Sequence, residues 1–310
     1  MQAVDHDDGV SDLDDLGLPV TRAATGGLAG WYAAHGRHDL PWRATRNRWA
    51  VLVSEVMLQQ TQVVRVAAVW PAFMARFPTP EAMAAATPGD VIAAWGTLGY
   101  PRRARRLWEA AGQIAAAGWP DDLAALPGVG RYTADAVAAQ VDGRDVPAIE
   151  TNIRRVVERR TGRVLSPAEA AAASREAGHP LRDRVRLLAL MDIGAVLCRP
   201  RTPRCPECPL EPGCDTAAVL AAGDHSTAAP AAGVGGFAPG PGAGPPPAWM
   251  ALGRRRRQPA YEGSFRQRRG RVLALLRAGP RPSADLDADA LAALVEDGLA
   301  AIDGPLARLP

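Results

Sequence analysis

From Arg48 onward the apolar residues recur at helical intervals. Trp49, Leu52, Val53, Val56 and Met57 follow the i, i+3, i+4 spacing of one buried face, and comparable patterns return at 63–77, 89–95, 104–117, 131–140 and 151–160. Strand alternation is nowhere sustained. Short breakers, "FPTPEA", "LGYP", "GWPDD" and "LPGVG", punctuate the helices at intervals of about two to six residues, the connection length of a compact helical domain. With 310 residues, 47% of them hydrophobic, the chain can bury a sizeable core.

The helical reading stops at residues 217–253, an Ala/Gly/Pro-rich stretch with almost no charge and too little apolar surface to offset ordering entropy. It reads as a flexible linker between a large segment, 26–216, and a small basic module, 254–310. Residues 1–25 read as a disordered acidic tail. Six aspartates fall in the first 20 residues although the formal net charge is +3, so the folded part is basic and suits a polyanionic partner. No apolar run is long enough for a membrane span, and the acidic N-terminus is unlike a secretory signal. The expected place is the cytoplasm, at the nucleoid. All 36 basic residues are Arg, so no side chain carries a primary amine.

Cys198, Cys205, Cys208 and Cys214 are the only cysteines and fall within 17 residues, "CRPRTPRCPECPLEPGC". A pair of disulfides and a structural zinc are the simpler readings, but the compartment disfavours the first and a second C-x2-C is missing for the other. A four-thiolate iron–sulfur cluster is favoured, because five prolines hold the loop open and a metal must order what cannot pack itself. Arg199, Arg201 and Arg204 of this loop could then face phosphate.

In "LPGVGRYTADAV", Gly128 and Gly130 permit a tight turn before an Ala-rich helix, which would offer backbone N–H groups to a phosphate. Twenty residues after Gly130 comes Glu150, in "VPAIETNIRRV". Glu55 lies off the Trp49/Leu52/Val53/Val56/Met57 face, so its helix can present it to a groove without loss of core packing.

The ordered set "DLPWR", "VSEVMLQQTQVVRV", "WGTLGYPRRARRL", "LPGVGRYTADAV", "TNIRRV" and the cysteine loop resembles the helix-hairpin-helix DNA glycosylases, nearest to their adenine-specific branch, over about residues 30–216. The resemblance implies an all-α fold: a six-helix barrel with the helix-hairpin-helix and an iron–sulfur subdomain, flanking a groove for double-stranded DNA with a mismatched or damaged base pair. It implies a [4Fe-4S] cluster on Cys198, Cys205, Cys208 and Cys214. It assigns Glu55 as the acid that protonates adenine N7, and the position of Glu150 to the carboxylate that stabilises the sugar cation, with Asn152 orienting it.

Further positions carry over. Tyr132 stands where the endonuclease III branch has its Schiff-base lysine, so the chain should be a monofunctional glycosylase. Trp42 and Arg43 match the wall of the base pocket, and Gln60 and Thr61 match residues that meet the opposite strand. Leu98 and Tyr100 match the loop whose aromatic wedges into the stack, and Gly128 and Gly130 match the phosphate-binding hairpin. Two positions depart from the pattern: Glu150 replaces an aspartate, and Leu188 stands where some relatives carry a base-reading glutamate.

Residues 254–310 open with eight Arg in 18 residues, a phosphate contact, and continue as a possible winged-helix-like module too short for the Nudix-like domain of many relatives. The expected activity is excision of adenine opposite 8-oxoguanine or guanine. A thymine or uracil mismatch glycosylase on the same scaffold, or a non-catalytic iron–sulfur DNA-binding protein, are the alternatives.

Overall fold

The computed structural model describes residues 26–222 and 260–310; the acidic tail, residues 223–253 of the expected linker and the arginine run 254–257 lie outside them. In chain order the helices are α1 (Gly27–His35), α2 (Arg48–Leu58), α3 (Val63–Arg76), α4 (Pro80–Ala84), α5 (Pro88–Trp95), α6 (Arg102–Ala117), α7 (Arg131–Val141), α8 (Thr151–Arg160), α9 (Pro167–Gly178), α10 (Asp183–Asp192), α11 (Asp215–Ala221), α12 (Phe265–Arg277) and α13 (Ala288–Glu296). The starts follow capping chemistry. The Asn47 side chain accepts from Ala50 N, and Thr87 with Asp90 and Ser166 with Glu169 form reciprocal capping boxes, each followed by a proline at the first helical position.

The described chain divides into two compact units. A hairpin unit holds Asp39–Val137 with residues 260–310; a cysteine-bearing unit holds residues 26–38 with 138–222. In the hairpin unit every residue of α2 from Trp49 to Met57 is buried. Burial extends beyond the apolar stripe read from the sequence, because the polar residues Ser54 and Glu55 are buried with the rest. Phe73 packs edge-on against Phe77 and Trp95, with ring centroids 5.0 and 5.9 Å away, and Trp49 Nε1 donates to Phe77 O at 3.0 Å.

In the cysteine-bearing unit, buried Asp192 accepts from Arg37 N (2.9 Å) and Arg37 Nε (2.7 Å), fastening α1 to the end of α10. The helix then widens into a π-helical turn, Ile193–Leu197, that delivers Cys198. Helix α11 extends through Ala221, five residues into the stretch read as linker. Its alanines are strong helix formers, and Thr216 Oγ1 donates to Arg159 O at 2.7 Å to hold it.

Residues 254–310 were expected to form a small basic module; those described, 260–310, cluster with Asp39–Val137. Asp297 accepts from Arg102 and Arg269, Arg105 Nη1 donates to Asp297 O (2.8 Å), and Gly89 N donates to Pro310 O (2.7 Å). This segment also holds three antiparallel strands, β1 (Arg281–Pro282), β2 (Ala301–Asp303) and β3 (Leu306–Arg308), in the order β1-β3-β2. Strands of two or three residues are too short to leave an alternating pattern.

Candidate active site and cysteine pocket

In the hairpin unit, the 3-10 turn Pro41–Arg43 buries Trp42 and Arg43 ahead of α2, and Trp42 meets Trp70 edge-on at 6.3 Å. Glu55, at the middle of α2, is 5% exposed. Helix α2 ends at Leu58 in a turn where Gln60 takes a left-handed φ of 56° and is exposed, while Thr61 is half-buried. Tyr100 is a second non-glycine residue at positive φ, 49°, and it is 42% exposed. Leu98, assigned to DNA contact alongside it, is 2% exposed: it belongs to the core, since its apolar side chain gains more from burial than from a turn open to water.

The hairpin before α7 is set by Gly128 at φ +79°, where a Cβ would lie 3.0 Å from Arg106 Cβ. Gln59 Nε2 donates to Gly128 O at 3.2 Å, so the end of α2 is fastened to the hairpin. Gly130 is exposed with open space around it, and Tyr132 follows, half-buried, in the first turn of α7.

In the cysteine-bearing unit Glu150 is the N-cap of α8. Its Oε1 accepts from Ile153 N at 2.9 Å and its Oε2 from Asn152 Nδ2 at 3.0 Å. The extra methylene relative to aspartate is taken up by folding the carboxylate back over the start of its own helix. Burial pushes the Glu150 carboxyl above its ordinary value. The main-chain N–H groups of Asn152 and Ile153, the Arg155 charge and the Asn152 side chain pull the other way.

Behind Asn152, Arg155 Nη2 donates to Asn152 Oδ1 (2.9 Å) and Gly194 O (2.6 Å), and Arg155 Nε to Cys198 O (2.7 Å). A continuous hydrogen-bonded path thus runs from Glu150 to the main chain of Cys198. Gly194 permits it: a Cβ there would stand 2.6 Å from Asn152 Cβ and 2.9 Å from Asn152 O. Leu188, on α10, is buried at 5%.

All four cysteines line one cavity, with Arg159, Leu197, Pro203 and Thr216 among its walls. Arg159 Nη1 donates to Cys198 Sγ (3.5 Å) and Arg199 O (2.7 Å), Arg159 Nη2 to Pro200 O (2.8 Å), and Arg160 Nη1 to Leu210 O (2.9 Å). The arginines of α8 therefore supply the bonds that the proline-rich loop cannot make with itself. Burial raises the thiols of Cys205 and Cys214, and pushes Cys208 up to about 11, with neighbouring thiols adding to the rise in each. Among the described residues no three His, Cys, Asp or Glu side chains converge as a site for one ion requires. Arg199 and Arg201 are exposed, and Arg204 pairs with Glu207.

The structure thus brings Trp42, Arg43, Glu55, Gln60, Thr61, Tyr100, Gly128, Gly130 and Tyr132 into one unit, and Glu150, Asn152 and the four cysteines into the other. Sequence reasoning missed Arg103, Arg155 and Gly194. The two arginines lay in quoted motifs, but only their hydrogen bonds single them out from neighbouring arginines; Gly194 carried no signal.

The fold and these sites define a class. Residues 53–176 match the model of the HhH-GPD superfamily base excision DNA repair proteins. A thermostable thymine-DNA glycosylase of known structure is similar, with a TM-score of 0.56 and 26% identity over 62% of this chain and 93% of that one. An endonuclease III in a non-covalent DNA complex shares the fold, with a TM-score of 0.54 and 22% identity over 63% of this chain and 94% of that one. The adenine DNA glycosylase of Mycobacterium tuberculosis is 43% identical over 278 residues, spanning 84% of this chain and 81% of the relative. The chain belongs to the adenine DNA glycosylase family.

Among the described residues no helix is long and apolar enough to cross a membrane.

Proposed function

We propose that the protein is a monofunctional DNA glycosylase that hydrolyses the N-glycosidic bond of adenine mispaired with 8-oxoguanine or guanine in duplex DNA. The observation that carries this is the setting of Glu150, whose two carboxylate oxygens each accept a hydrogen bond at the N-terminus of α8. A helix N-terminus with a buried arginine behind it favours the anion, which is what a developing sugar cation needs beside it.

In this reading Glu55 delivers its carboxyl proton to adenine N7 as the C1′–N9 bond breaks, and the bonding electron pair leaves with the base. Glu150 stabilises the resulting sugar cation, directly or by transient bonding. Water adds at C1′ and loses its proton to a carboxylate, leaving an abasic site and free adenine. Asn152 holds Glu150 in place, and Trp42 and Arg43 wall the base. Gln60, Thr61 and Tyr100 meet the strands, and the hairpin with Gly128 and Gly130 binds phosphate. Tyr132 stands where a lyase would need an amine, and the chain has no lysine to supply one elsewhere.

Cys198, Cys205, Cys208 and Cys214 would hold a [4Fe-4S] cluster. The fit rests on four thiols around one cavity, faced by the Arg159 cation. When bound, the cluster supplies the bonds that close the loop. A visible thiolate-to-iron absorption band is expected; a colourless protein with one zinc per chain would contradict the assignment.

Residues 260–310 run helix, strand, 3-10 turn, helix and hairpin, which we read as winged-helix-like. Its second helix turns Asp289 and Glu296 outward, so phosphate contact falls to the arginines of α12 and of 254–257.

The competing reading, a thymine or uracil mismatch glycosylase, draws on the likeness to the thymine-DNA glycosylase structure and on the apolar Leu188. Duplexes with one modified pair each, treated with alkali after incubation, separate the two. Product is expected from adenine opposite 8-oxoguanine and guanine, and only after alkali. Cleavage of thymine or uracil opposite guanine without cleavage at adenine would reverse the assignment, and binding without product from any duplex would point to a non-catalytic role.

A further inference from the structure

Arg103 lies in the first turn of α6, three residues after Tyr100, and is 9% exposed. Its Nη1 donates to Val56 O (2.8 Å), Met57 O (3.0 Å) and Gln59 O (2.5 Å). Its Nη2 donates to Thr61 Oγ1 (2.9 Å) and Gly99 O (3.1 Å). The guanidinium also lies over the Trp95 ring at 5.4 Å and the Tyr100 ring at 5.3 Å. Its Nε is buried without an acceptor, so all the hydrogen bonding of this side chain goes to these partners.

The partners belong to two turns. Val56, Met57, Gln59 and Thr61 are the end of α2 and the turn that forces Gln60 to φ 56°; Gly99 and Tyr100 are the turn that forces Tyr100 to φ 49°. A helix end leaves its last carbonyls without intrahelical donors, and a cation placed there satisfies them and opposes the helix dipole. Left-handed backbone at two non-glycine residues persists only where surrounding bonds over-determine it. Thr61 Oγ1 lies 3.4 Å from Leu98 O, which joins the two turns a second time, and Trp95 Nε1 donates to Gly99 O at 3.1 Å within the second turn. Burial pushes the Arg103 guanidinium down to about 10, which leaves it charged at neutral pH.

We propose that Arg103 is a positioning residue that locks the Gln60 turn and the Tyr100 turn into one rigid element, so that the opposite-strand contact and the aromatic wedge enter the duplex together. This rests on the reading of Gln60 and Tyr100 as DNA-contacting residues given above. A lysine cannot replace the guanidinium, since its three donors on one nitrogen cannot span five acceptors in two turns. An uncharged side chain of similar length would leave the end of α2 and the Gly99 carbonyl without their donor.

The test places 2-aminopurine beside the target adenine opposite 8-oxoguanine and reads its fluorescence rise, which reports unstacking, at saturating protein. Glu55→Gln is the background, so that no base is removed during the measurement. We expect Arg103→Met in this background to lose most of the rise while its circular dichroism spectrum at the assay temperature matches that of the background protein. Arg103→Lys should restore only part of it. In the Glu55-intact protein, single-turnover excision should fall about ten- to a hundredfold in Arg103→Met.

Tyr100→Ala separates the proposal from the reading beneath it. A full rise in Tyr100→Ala would remove Tyr100 as the wedge, whatever Arg103 does. A lost rise in Tyr100→Ala with a full rise in Arg103→Met would overturn the proposal alone. If Arg103→Met does not fold, Arg103→Lys carries the same test, and a full rise with parental excision in that variant would overturn it equally.

Discussion

The two carboxylates proposed for the chemistry sit in opposite places on their helices. Glu55 is enclosed in the middle of α2, where backbone N–H groups are already committed to the helix. Glu150 stands at the N-cap of α8, where the partners of its two oxygens are an uncommitted main-chain N–H and a side-chain amide. An N-cap carboxylate is helped to stay ionised by main-chain N–H groups and the helix dipole together. We propose that this difference in place along the helix separates the proton donor from the stabilising anion.

That comparison can be broken or sharpened in steps. The largest effect is expected at Glu55→Gln, which removes the proton: single-turnover excision of adenine opposite 8-oxoguanine should fall on the order of a thousandfold, with duplex affinity by gel shift close to the parent's. Undiminished excision would take the acid role away from α2.

Gly194→Ala comes next. Its new methyl group would stand 2.6 Å from Asn152 Cβ, so Asn152 must move and Glu150 loses its side-chain donor. Excision should drop about ten- to a hundredfold, since a displacement near 1 Å costs that much. A parental rate with an intact fold by circular dichroism would mean that Asn152 does not hold Glu150.

A smaller effect concerns pH. Burial raises the Glu150 carboxyl, and its donors restrain that rise, so excision should fall on the acid side through a midpoint above the ordinary carboxylate value. Asn152→Ala removes one donor and should move that acid limb to higher pH. For stability the sign is reversed: a carboxyl with a raised folded-state value favours the fold most below its unfolded value, and this contribution is lost as pH rises through the folded one. An acid limb unmoved by Asn152→Ala would separate the limb from Glu150.

The smallest effect is expected at Leu98→Ile. This residue lies in the core, so the swap should lower stability by about 1 kcal/mol in urea titration and leave excision near the parental rate. A large loss of excision at unchanged stability would return Leu98 to the DNA surface.

Much of this was legible in the sequence because helical periodicity and motif order are local. The helices at 48–58, 102–117 and 151–160 fall where the apolar spacing puts them. What escaped depends on the third dimension. Periodicity marks the most apolar stripe of α2 but not that Ser54 and Glu55 are buried as well. The strands of residues 281–308 are too short to alternate, and α11 was hidden because alanine serves both helix and low-complexity stretch. In the candidate site, motif matches reached Glu150 and Asn152, whereas Gly194 matters only because of what lies 2.6 Å from its missing side chain. Arg103 sits among several arginines in "PRRARRL", and its burial and hydrogen bonds set it apart.

The central claim is that Glu150 acts as a charge held at the start of α8. The measurement that tests it most directly is single-turnover excision of adenine opposite 8-oxoguanine by Glu150→Gln and Glu150→Asp beside the parent protein. Aspartate shortens the side chain by roughly 1.5 Å and keeps the charge and the capping role, so it should keep or improve the rate. Glutamine keeps the length without the charge and should lower the rate about two to three orders of magnitude, with duplex binding retained. Equal excision by Glu150→Gln and the parent would contradict the account.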